Sequence, residues 1–402
     1  MDSQALVVRH ARTAVATVFI VSGLLMGSLF ARTPSVRDVL GLTSAQLGLL
    51  LLCASVGSIT GLPVSGPVVA RFGAARAVLG AALVNAVGLA GIAAGLAAGS
   101  VVLTAPGLFL FGLGIGVWDV GMNVEGADVE RRLGRSLMPR LHAGFSLGTV
   151  AGAAIGAGTA AVGLPLALQV LVLAVLAPVA VVVAVRRFLG GPPPAAEREA
   201  AADAFGARRA WREPRTLLVG LMALGFAFTE GSANDWMAVA MVDGYGTGET
   251  VGALGFGVFV SAMTLGRVLG GTVLDRFGRV AVLRATAAIG LAGLLLVLLG
   301  GSPAVAMAGA VLWGLGASLG FPVGMSAGAD DPARAAVRVS VISSIGYTAF
   351  LAGPPLIGLL AEHVGILHAL FVVVGALTLG LAAAGAARPL PAPAATTQPA
   401  RP

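Results

Sequence analysis

The chain has 402 residues, of which 57% are hydrophobic and only 11% are charged, and its mean hydropathy is +0.95. Because soluble domains normally have about 25% charged residues, this composition excludes a water-soluble protein and indicates a chain that mostly faces lipid. The net charge of +7 comes from arginine, since the sequence has no lysine. We attribute it to membrane-flanking loops, and we expect the lipid bilayer, not nucleic acid, as a partner. The single cysteine, Cys53, excludes an internal disulfide.

A helix that crosses the hydrocarbon of a bilayer needs about 20 apolar residues. Charged and turn-forming residues divide the chain into twelve such segments, which predicts an all-α membrane protein. The predicted spans are 13–31, 44–70, 75–97, 101–124, 138–162, 164–185, 214–242, 250–274, 280–299, 303–328, 335–361 and 364–387. Residues 188–213, rich in proline, small residues and mixed charge, are predicted to form a cytoplasmic linker. This linker would separate an N-terminal six-helix bundle, 1–187, from a C-terminal one, 214–402, with a short disordered tail.

The arginines predict how these spans are oriented. If the N-terminus is cytoplasmic, every arginine except Arg32, Arg37 and Arg267 falls on the cytoplasmic side, and Arg267 falls within the eighth span. Cytoplasmic loops of membrane proteins have an excess of Lys and Arg. We therefore predict that both termini are cytoplasmic, as an even number of spans requires.

Short sequence matches relate the two predicted bundles to each other. GPVVARFG (66–73) recurs as GTVLDRFG (271–278), GLG (112–114) recurs at 314–316, and GAD (126–128) recurs at 328–330. The three matches have nearly the same spacing, so equivalent loops in each half have equivalent residues. A parallel duplication of six spans about a central loop is typical of secondary transporters.

The stretch GTVLDRFGR, from Gly271 to Arg279, resembles the signature loop G-x-x-x-D-R-x-G-R of the major facilitator superfamily. The copy in the first half departs from it, with Ala70 in place of the aspartate and Ala74 in place of the second arginine. The resemblance implies a cytoplasmic gate in which arginines hold a carboxylate across the two halves. The residues predicted to form this gate are Gly271, Asp275, Arg276, Gly278, Arg279, Arg71 and Gly73.

Four other stretches resemble a fucose-permease-related bacterial branch of the superfamily. They are ARTPSVRDVLGLTSAQLGLLLL (31–52), WDVGMNVE (118–125), LHAGFSLG (141–148) and EGSANDW (230–236). The resemblance covers nearly the whole chain. It implies a multi-pass protein of the bacterial plasma membrane that moves a solute by alternating access of two six-helix halves.

Asp119, in the fourth predicted span, is the first candidate site residue. A charge at the bilayer centre costs about 2.5–3.5 kcal/mol on insertion scales, so Asp119 is expected to face a water-filled cavity or a partner. Asn123 lies one helical turn further on and projects from the same face. In the fucose-permease pattern an acid-x-x-x-Asn in this span couples protons to sugar, and Asp119 and Asn123 match that spacing. The alternative is a static pairing of Asp119 with a neighbouring helix.

Glu230, in the seventh predicted span, is the second candidate for proton coupling. Together with Asn234 and Trp236 it could bind a hydroxylated ligand, because the acid and amide bond hydroxyl groups and the indole stacks on an apolar face. In the alternative reading, Glu230 pairs with Arg267, which should not be unpaired within a span. Asp275 is the other candidate partner of Arg267. Both readings of Glu230 stay open from the sequence.

The remaining polar residues of the spans have less specific expected roles. The first span lacks the acid that fucose permease has there and offers Ser22, Ser28 and Arg32 instead, of which Ser28 is expected to line the cavity. Glu125 is expected to bridge to Arg131 or Arg132 near the cytoplasm. His142 could exchange protons near neutral pH, although an interfacial histidine with satisfied hydrogen bonds is favoured. We expect Asp235 to lie near the outer interface as an anchor.

These features predict a proton-coupled secondary transporter with a midplane cavity lined by spans one, four, seven and ten. A small polar or sugar-like solute is favoured over an amphipathic drug, because aromatic residues make up only 5% of the chain and efflux pockets are rich in them. Proton-driven efflux and a non-transporting membrane sensor or structural protein remain alternatives. The scattered histidines favour no enzyme, metal site or cofactor. We expect a monomer whose partners are solute and protons.

Overall fold

The computed structural model describes residues 3–133, 137–189, 210–328, 330 and 334–390. In these residues twelve helical segments are long and apolar enough to cross a membrane, which confirms the predicted all-α fold. The helices are α1 Ser3–Phe30, α2 Thr33–Leu40, α3 Ser44–Phe72, α4 Ala74–Ala97, α5 Val101–Leu133, α6 Met138–Ala161, α7 Leu166–Val185, α8 Pro214–Val239, α9 Glu249–Phe277, α10 Arg279–Leu299, α11 Pro303–Ala317, α12 Gly320–Gly328, α13 Ala335–Val364, α14 Ile366–Ala369 and α15 Phe371–Ala383. Residues 190–209 of the predicted linker and the tail from 391 onward lie outside the described residues.

Local sequence signals explain where several helices begin and end. The Thr43 hydroxyl accepts a hydrogen bond from the Gln46 backbone while the Gln46 side chain accepts one from the Thr43 backbone, a capping box at the start of α3. Gly73 and Gly278 connect α3 to α4 and α9 to α10 with nearly identical dihedral angles, φ 79°, ψ 160° and φ 76°, ψ 158°. This region is accessible essentially only to glycine, so the sequence repeat corresponds to a repeated backbone turn.

The short helix α2 is an addition to the predicted elements. It occupies the connection between the first two spans, and its first four residues, 33–36, are all buried. The helix has only 8 residues, and its pattern of apolar and polar residues is too short to indicate a helix from the sequence alone. It places Arg32 and Arg37 beside the second half of the chain, as described below.

Helices α1 to α7 pack mainly among themselves, as do α8 to α15. The most extensive packings between these groups are α3 with α13 and α6 with α9, and smaller contacts of α1 and α2 with α8 and α9 also join them. Because these groups pack against each other, they enclose a space whose walls come from both halves.

With twelve spans both chain ends lie on one side of the bilayer. We call this side the termini side, and we call the opposite side the distal side.

Glycines in α6 allow it to approach α1 closely. A side chain at Gly148 would clash with the backbone of Ile20, and one at Gly152 would clash with the backbone of Leu24. The reciprocal residue Gly23 of α1 lies against the backbone of Phe145. Small residues at a helix interface permit such close backbone contact in membranes.

The tenth span is interrupted, although the sequence predicted a continuous helix over 303–328. Helix α11 ends at Ala317 and α12 begins at Gly320. The guanidinium of Arg267 donates a hydrogen bond to the Ser318 carbonyl, 3.2 Å away, and so satisfies a backbone group at the break. Unpaired backbone groups are costly in a membrane, so Arg267 stabilises this interruption.

Candidate solute cavity between the two halves

A cavity of about 260 Å³ lies between the two helix groups. Its wall consists of residues from α1, α3 and α5 of the first half and from α8 and α13 of the second, with two residues from α2 and single residues from α4 and α6. The sequence predicted lining from spans one, four, seven and ten. The structure replaces span ten with span eleven and adds span two, because α3 and α13 pack together where the halves meet.

Asp119 lies on the cavity wall in α5. Its carboxylate accepts a hydrogen bond from the Asn123 amide at 3.2 Å, and the same amide donates to the Asp119 carbonyl at 2.8 Å. Asn123 thus positions Asp119, and it is not itself among the residues of the wall. Tyr347 of α13 also lines the cavity and is close enough to interact electrostatically with Asp119. The carboxylate on the first half therefore faces a phenol on the second.

Asp235 also lies on the cavity wall, contrary to the expectation that it anchors the outer interface. Only 8% of its surface is exposed, and no described residue forms a hydrogen bond or ion pair with it. The cavity extends toward the distal side as far as Val36. Asp235 lies more than two helical turns before the distal end of the seventh span, and it therefore still reaches the cavity. Asn234 lies beside Asp235 on the same wall.

Glu230 forms an ion pair with Arg267, at 2.7 Å. This is the second of the two readings that the sequence left open, and Arg267 takes Glu230 rather than Asp275 as its partner. Glu230 is not among the residues of the cavity wall. Trp236 is completely buried, away from the wall, with no hydrogen-bond partner for its indole nitrogen among the described residues. The expected group of Glu230, Asn234 and Trp236 around one ligand is therefore not present.

Ser28 does not line the cavity, because its side chain is buried against α7. The hydroxyl of Ser28 accepts a hydrogen bond from the Gln169 amide at 2.7 Å. Ser22, two turns earlier in α1, lines the cavity instead. The expectation for Ser28 is thus wrong, because its face of α1 turns toward the other helices of the first half.

Glu125 and His142 lie toward the termini side. Glu125 accepts a hydrogen bond from the backbone of Leu189 at 2.5 Å, whereas Arg132, its expected partner, pairs with Asp128 at 2.9 Å. The side chain of Arg131 lies outside the described part of the structure. His142 contacts the edge of the Phe19 ring, with centroids 5.3 Å apart.

The two glycine turns on the termini side have matching side-chain arrangements. The guanidinium of Arg71 lies over the Phe72 ring, and that of Arg276 lies over the Phe277 ring, at 5.6 and 5.3 Å from the ring centroids. Gly271, Asp275 and Gly278 are exposed. Among the described residues, none of these loop residues forms an ion pair with the other half in this conformation.

Arg279 binds Asp330 and not the Asp275 that the signature loop suggested. The Arg279–Asp330 distance is 2.6 Å, and Arg215 binds the other oxygen of the same carboxylate at 2.8 Å. Asp330 is the last residue of the repeated GAD sequence, so the repeat pointed to it although its role was not recognised. All three residues belong to the second half.

Polar contacts join the halves on the distal side. Arg37 forms an ion pair with Asp243. Arg32 pairs with Glu249 at 3.2 Å, and the Ser35 hydroxyl donates to the same carboxylate at 2.6 Å. Burial lowers the pKa of Arg32, although Glu249 acts in the opposite direction. The cavity is therefore closed on the distal side.

Known proteins with similar sequences share this organisation. Residues 15–347 and 236–402 match the family described as the Major Facilitator Superfamily. The chain belongs to this superfamily. It is 33% identical to the uncharacterized transporter y4wD of Sinorhizobium fredii over 89% of this chain and 93% of that one. It is 30% identical to an uncharacterized MFS-type transporter of Yersinia pestis over 92% and 93% of the two chains.

Solved structures of several transporters have the same fold. The nucleoside transporter NupG matches with a TM-score of 0.77 at 13% identity, over 94% of this chain and 99% of that one. A bacterial homolog of the human lysosomal transporter Spinster matches with 0.71 at 15% identity, over 96% and 99%. The Escherichia coli fucose:proton symporter FucP matches with 0.63 at 15% identity, over 94% and 98%. The chain is thus a multi-pass membrane transporter with the major facilitator fold.

Proposed function

We propose that this superfamily member moves a small solute by alternating access and couples the movement to protons through Asp119. The observation that supports the proposal is the position of Asp119 on the wall of a cavity between the halves, where its side chain has an amide as its only hydrogen-bond partner among the described residues. A carboxylate in such a place can bind and release a proton as the cavity opens to one side and then the other. A solved structure with the same fold is that of a fucose:proton symporter, and this similarity supports the proposal of proton coupling.

We further propose that the distal side faces outward from a bacterial plasma membrane and that both termini are cytoplasmic. The arginine distribution supports this orientation, since Arg32 and Arg37 alone lie in distal loops. The two halves would then be residues 1–187 and 214–402. They would move against each other within the bilayer, and the protein would work as a monomer. The termini-side turns with Arg71 and Arg276 would form the cytoplasmic gate when the distal contacts separate.

Proton-driven efflux of an amphipathic compound is the second candidate. The whole chain is poor in aromatic residues, yet five of them lie on the cavity wall. These are Phe30, Phe111, Phe145, Tyr347 and Phe350. Aromatic and hydrophobic linings are typical of pockets for compounds with apolar surface. This feature favours a solute with both apolar and polar parts over a simple sugar.

The test is the effect of Asp119→Asn on accumulation and exchange in proteoliposomes. Thermal-shift screening of the purified protein against sugars, polyols and amphipathic amines supplies a solute. We expect Asp119→Asn to abolish accumulation driven by an imposed pH gradient but to retain solute exchange, because the amide keeps the bond to Asn123 and cannot take up a proton. Asp128→Asn, on the same helix outside the cavity, should keep accumulation. Gradient-driven accumulation equal to wild type in Asp119→Asn would remove Asp119 from the mechanism.

A further inference from the structure

The cavity wall has a local charge opposite to that of the whole chain. The chain has a net charge of +7, but the charged residues on the wall are two carboxylates, Asp119 from the first half and Asp235 from the second. No arginine or histidine is among the described lining residues. An anionic solute would meet two negative groups in a space of low dielectric constant, where repulsion is strong.

Asp235 lacks the partner that a buried carboxylate requires. It is 92% buried, since 8% of its surface is exposed, and none of the described residues hydrogen bonds to it or pairs with it. Two basic residues of the spans and the distal loop already have acidic partners: Arg267 pairs with Glu230, and Arg32 pairs with Glu249. A buried charge without a partner is costly, so Asp235 is compensated either by a proton or by a cationic group that enters the cavity.

The aromatic residues of the wall suit a particular kind of compensating group. Phe30, Phe145, Phe350 and Tyr347 come from helices of both halves and surround the same space as the carboxylates. Organic cations are attracted to the faces of aromatic rings, and binding sites for quaternary ammonium groups combine such rings with acidic residues. Metal ions and protons gain little from rings, whereas an organic cation uses both kinds of residue.

We propose that the solute is a small organic cation, a protonated amine or a quaternary ammonium compound, whose charge binds Asp235. This inference rests on the proposed transport function and specifies its substrate class. Asp119 then exchanges the coupling proton from the first half, and Asp235 holds the solute from the second. The cavity volume of about 260 Å³ limits the solute to a small molecule.

The charge of the cavity can be measured without knowing the solute. Ser55, on the cavity wall in α3, is replaced by cysteine in a Cys53→Ser background, and the purified protein is labelled with two methanethiosulfonate reagents of similar size. One reagent bears a trimethylammonium group and the other a sulfonate. We expect the cationic reagent to react faster, and we expect Asp235→Asn to lower the ratio of the two rates about tenfold by removing a nearby charge. Asp235→Glu should retain the ratio.

A second measurement tests recognition of the cation itself. Choline and its uncharged isostere 3,3-dimethylbutan-1-ol are compared as inhibitors of labelling of the same cysteine by a neutral maleimide. We expect choline to protect at a concentration at least about tenfold lower, a preference that Asp235→Asn abolishes. A cysteine at Ser340, exposed on α13 and not on the wall, is the control, which choline should not protect.

The outcomes separate this inference from the proposed function. Equal rates for the two charged reagents, or equal protection by choline and its isostere, would overturn the cation assignment even if Asp119→Asn abolishes accumulation. Conversely, a cation preference that requires Asp235, together with undiminished accumulation in Asp119→Asn, would support the cation site and contradict proton coupling through Asp119. A cation preference that Asp235→Asn leaves unchanged would also overturn the role of Asp235.

Discussion

Removing the two acidic residues of the distal contacts should open the cavity to the distal side. The perturbation is the double variant Asp243→Asn with Glu249→Gln, which leaves Arg37 and Arg32 without their carboxylate partners in the other half. These contacts join the halves only while the distal side is closed. Their loss therefore shifts the equilibrium toward the conformation in which that side is open.

The size of the shift follows from the exposure of the side chains. Asp243 and Glu249 are 27% and 37% exposed, so each ion pair contributes only about 0.5–1 kcal/mol. The short hydrogen bond from Ser35 to Glu249 adds about 1 kcal/mol, because bonds to a charged acceptor are stronger than those to the amide that replaces it. The total of about 2 kcal/mol corresponds to an increase of about 30-fold in the ratio of open to closed molecules.

Cysteine labelling in vesicles measures this ratio. Val36, which is 5% exposed and lines the cavity near the distal contacts, is replaced by cysteine in a Cys53→Ser background. A membrane-impermeant maleimide is applied to vesicles whose distal face is outward. We expect the labelling rate to rise about 30-fold in the double variant, because the cysteine is reached through the open conformation.

Asp38→Asn is the matched control, since Asp38 pairs with Arg37 at 2.7 Å within the same half. This substitution removes a distal carboxylate without removing a contact between the halves, so labelling should stay near the wild-type rate. An unchanged rate in the double variant would refute the reasoning, and so would an equal rise in Asp38→Asn.

Two further predictions concern stability. Gly148→Val should destabilise the protein by several kcal/mol in detergent melting experiments, because the side chain would meet the Ile20 backbone, whereas Gly158→Val, with open space around it, should melt near wild type. The pKa of Glu213 is lowered chiefly by its hydrogen bond from Arg338, so its contribution to stability is present above the usual pKa of a glutamate, and falls as the pH drops through the lowered value. Melting temperatures of wild type and Glu213→Gln should accordingly differ at pH 6 and converge as the pH falls below the lowered pKa; a constant difference would contradict the pKa shift.

The number of spans could be predicted from the sequence because it depends on local properties. Each run of about 20 apolar residues is bounded by charges or turn residues, and the cost of exposing polar backbone to lipid leaves the helix as the available structure for such a run. The repeat of Gly73 in Gly278 likewise reflects a local requirement, since both turns have positive φ. The fold was therefore largely predictable.

The cavity was less predictable because it depends on how the helices tilt and rotate in the folded protein. Sequence spacing placed Asp119 and Asn123 on one helix face, and these two residues do interact. Spacing could not show that Ser28 turns toward Gln169, or that the cavity extends far enough to include Asp235. Average composition failed for the same reason, because aromatic residues are more frequent on the cavity wall than in the whole chain.

The partner of Arg279 illustrates a signal that was present and not used. The repeated GAD sequence placed an aspartate at position 330 that is equivalent to Asp128, and each of these aspartates binds an arginine of its own half. The family signature directed attention to Asp275, which is exposed. A repeat within one chain thus pointed to the interacting residue more directly than the resemblance did.

The break between α11 and α12 divides the tenth span into two parts that have different neighbours. On the termini side of this break, α12 is tied through Asp330 to Arg215 at the start of α8 and to Arg279 at the start of α10. Three helix ends are thereby linked into one block, while α11 stays packed against α9 and α10. We expect α12 to move together with the termini-side ends of α8 and α10 when the termini side closes, and the break at Ser318 to take up its change of angle relative to α11.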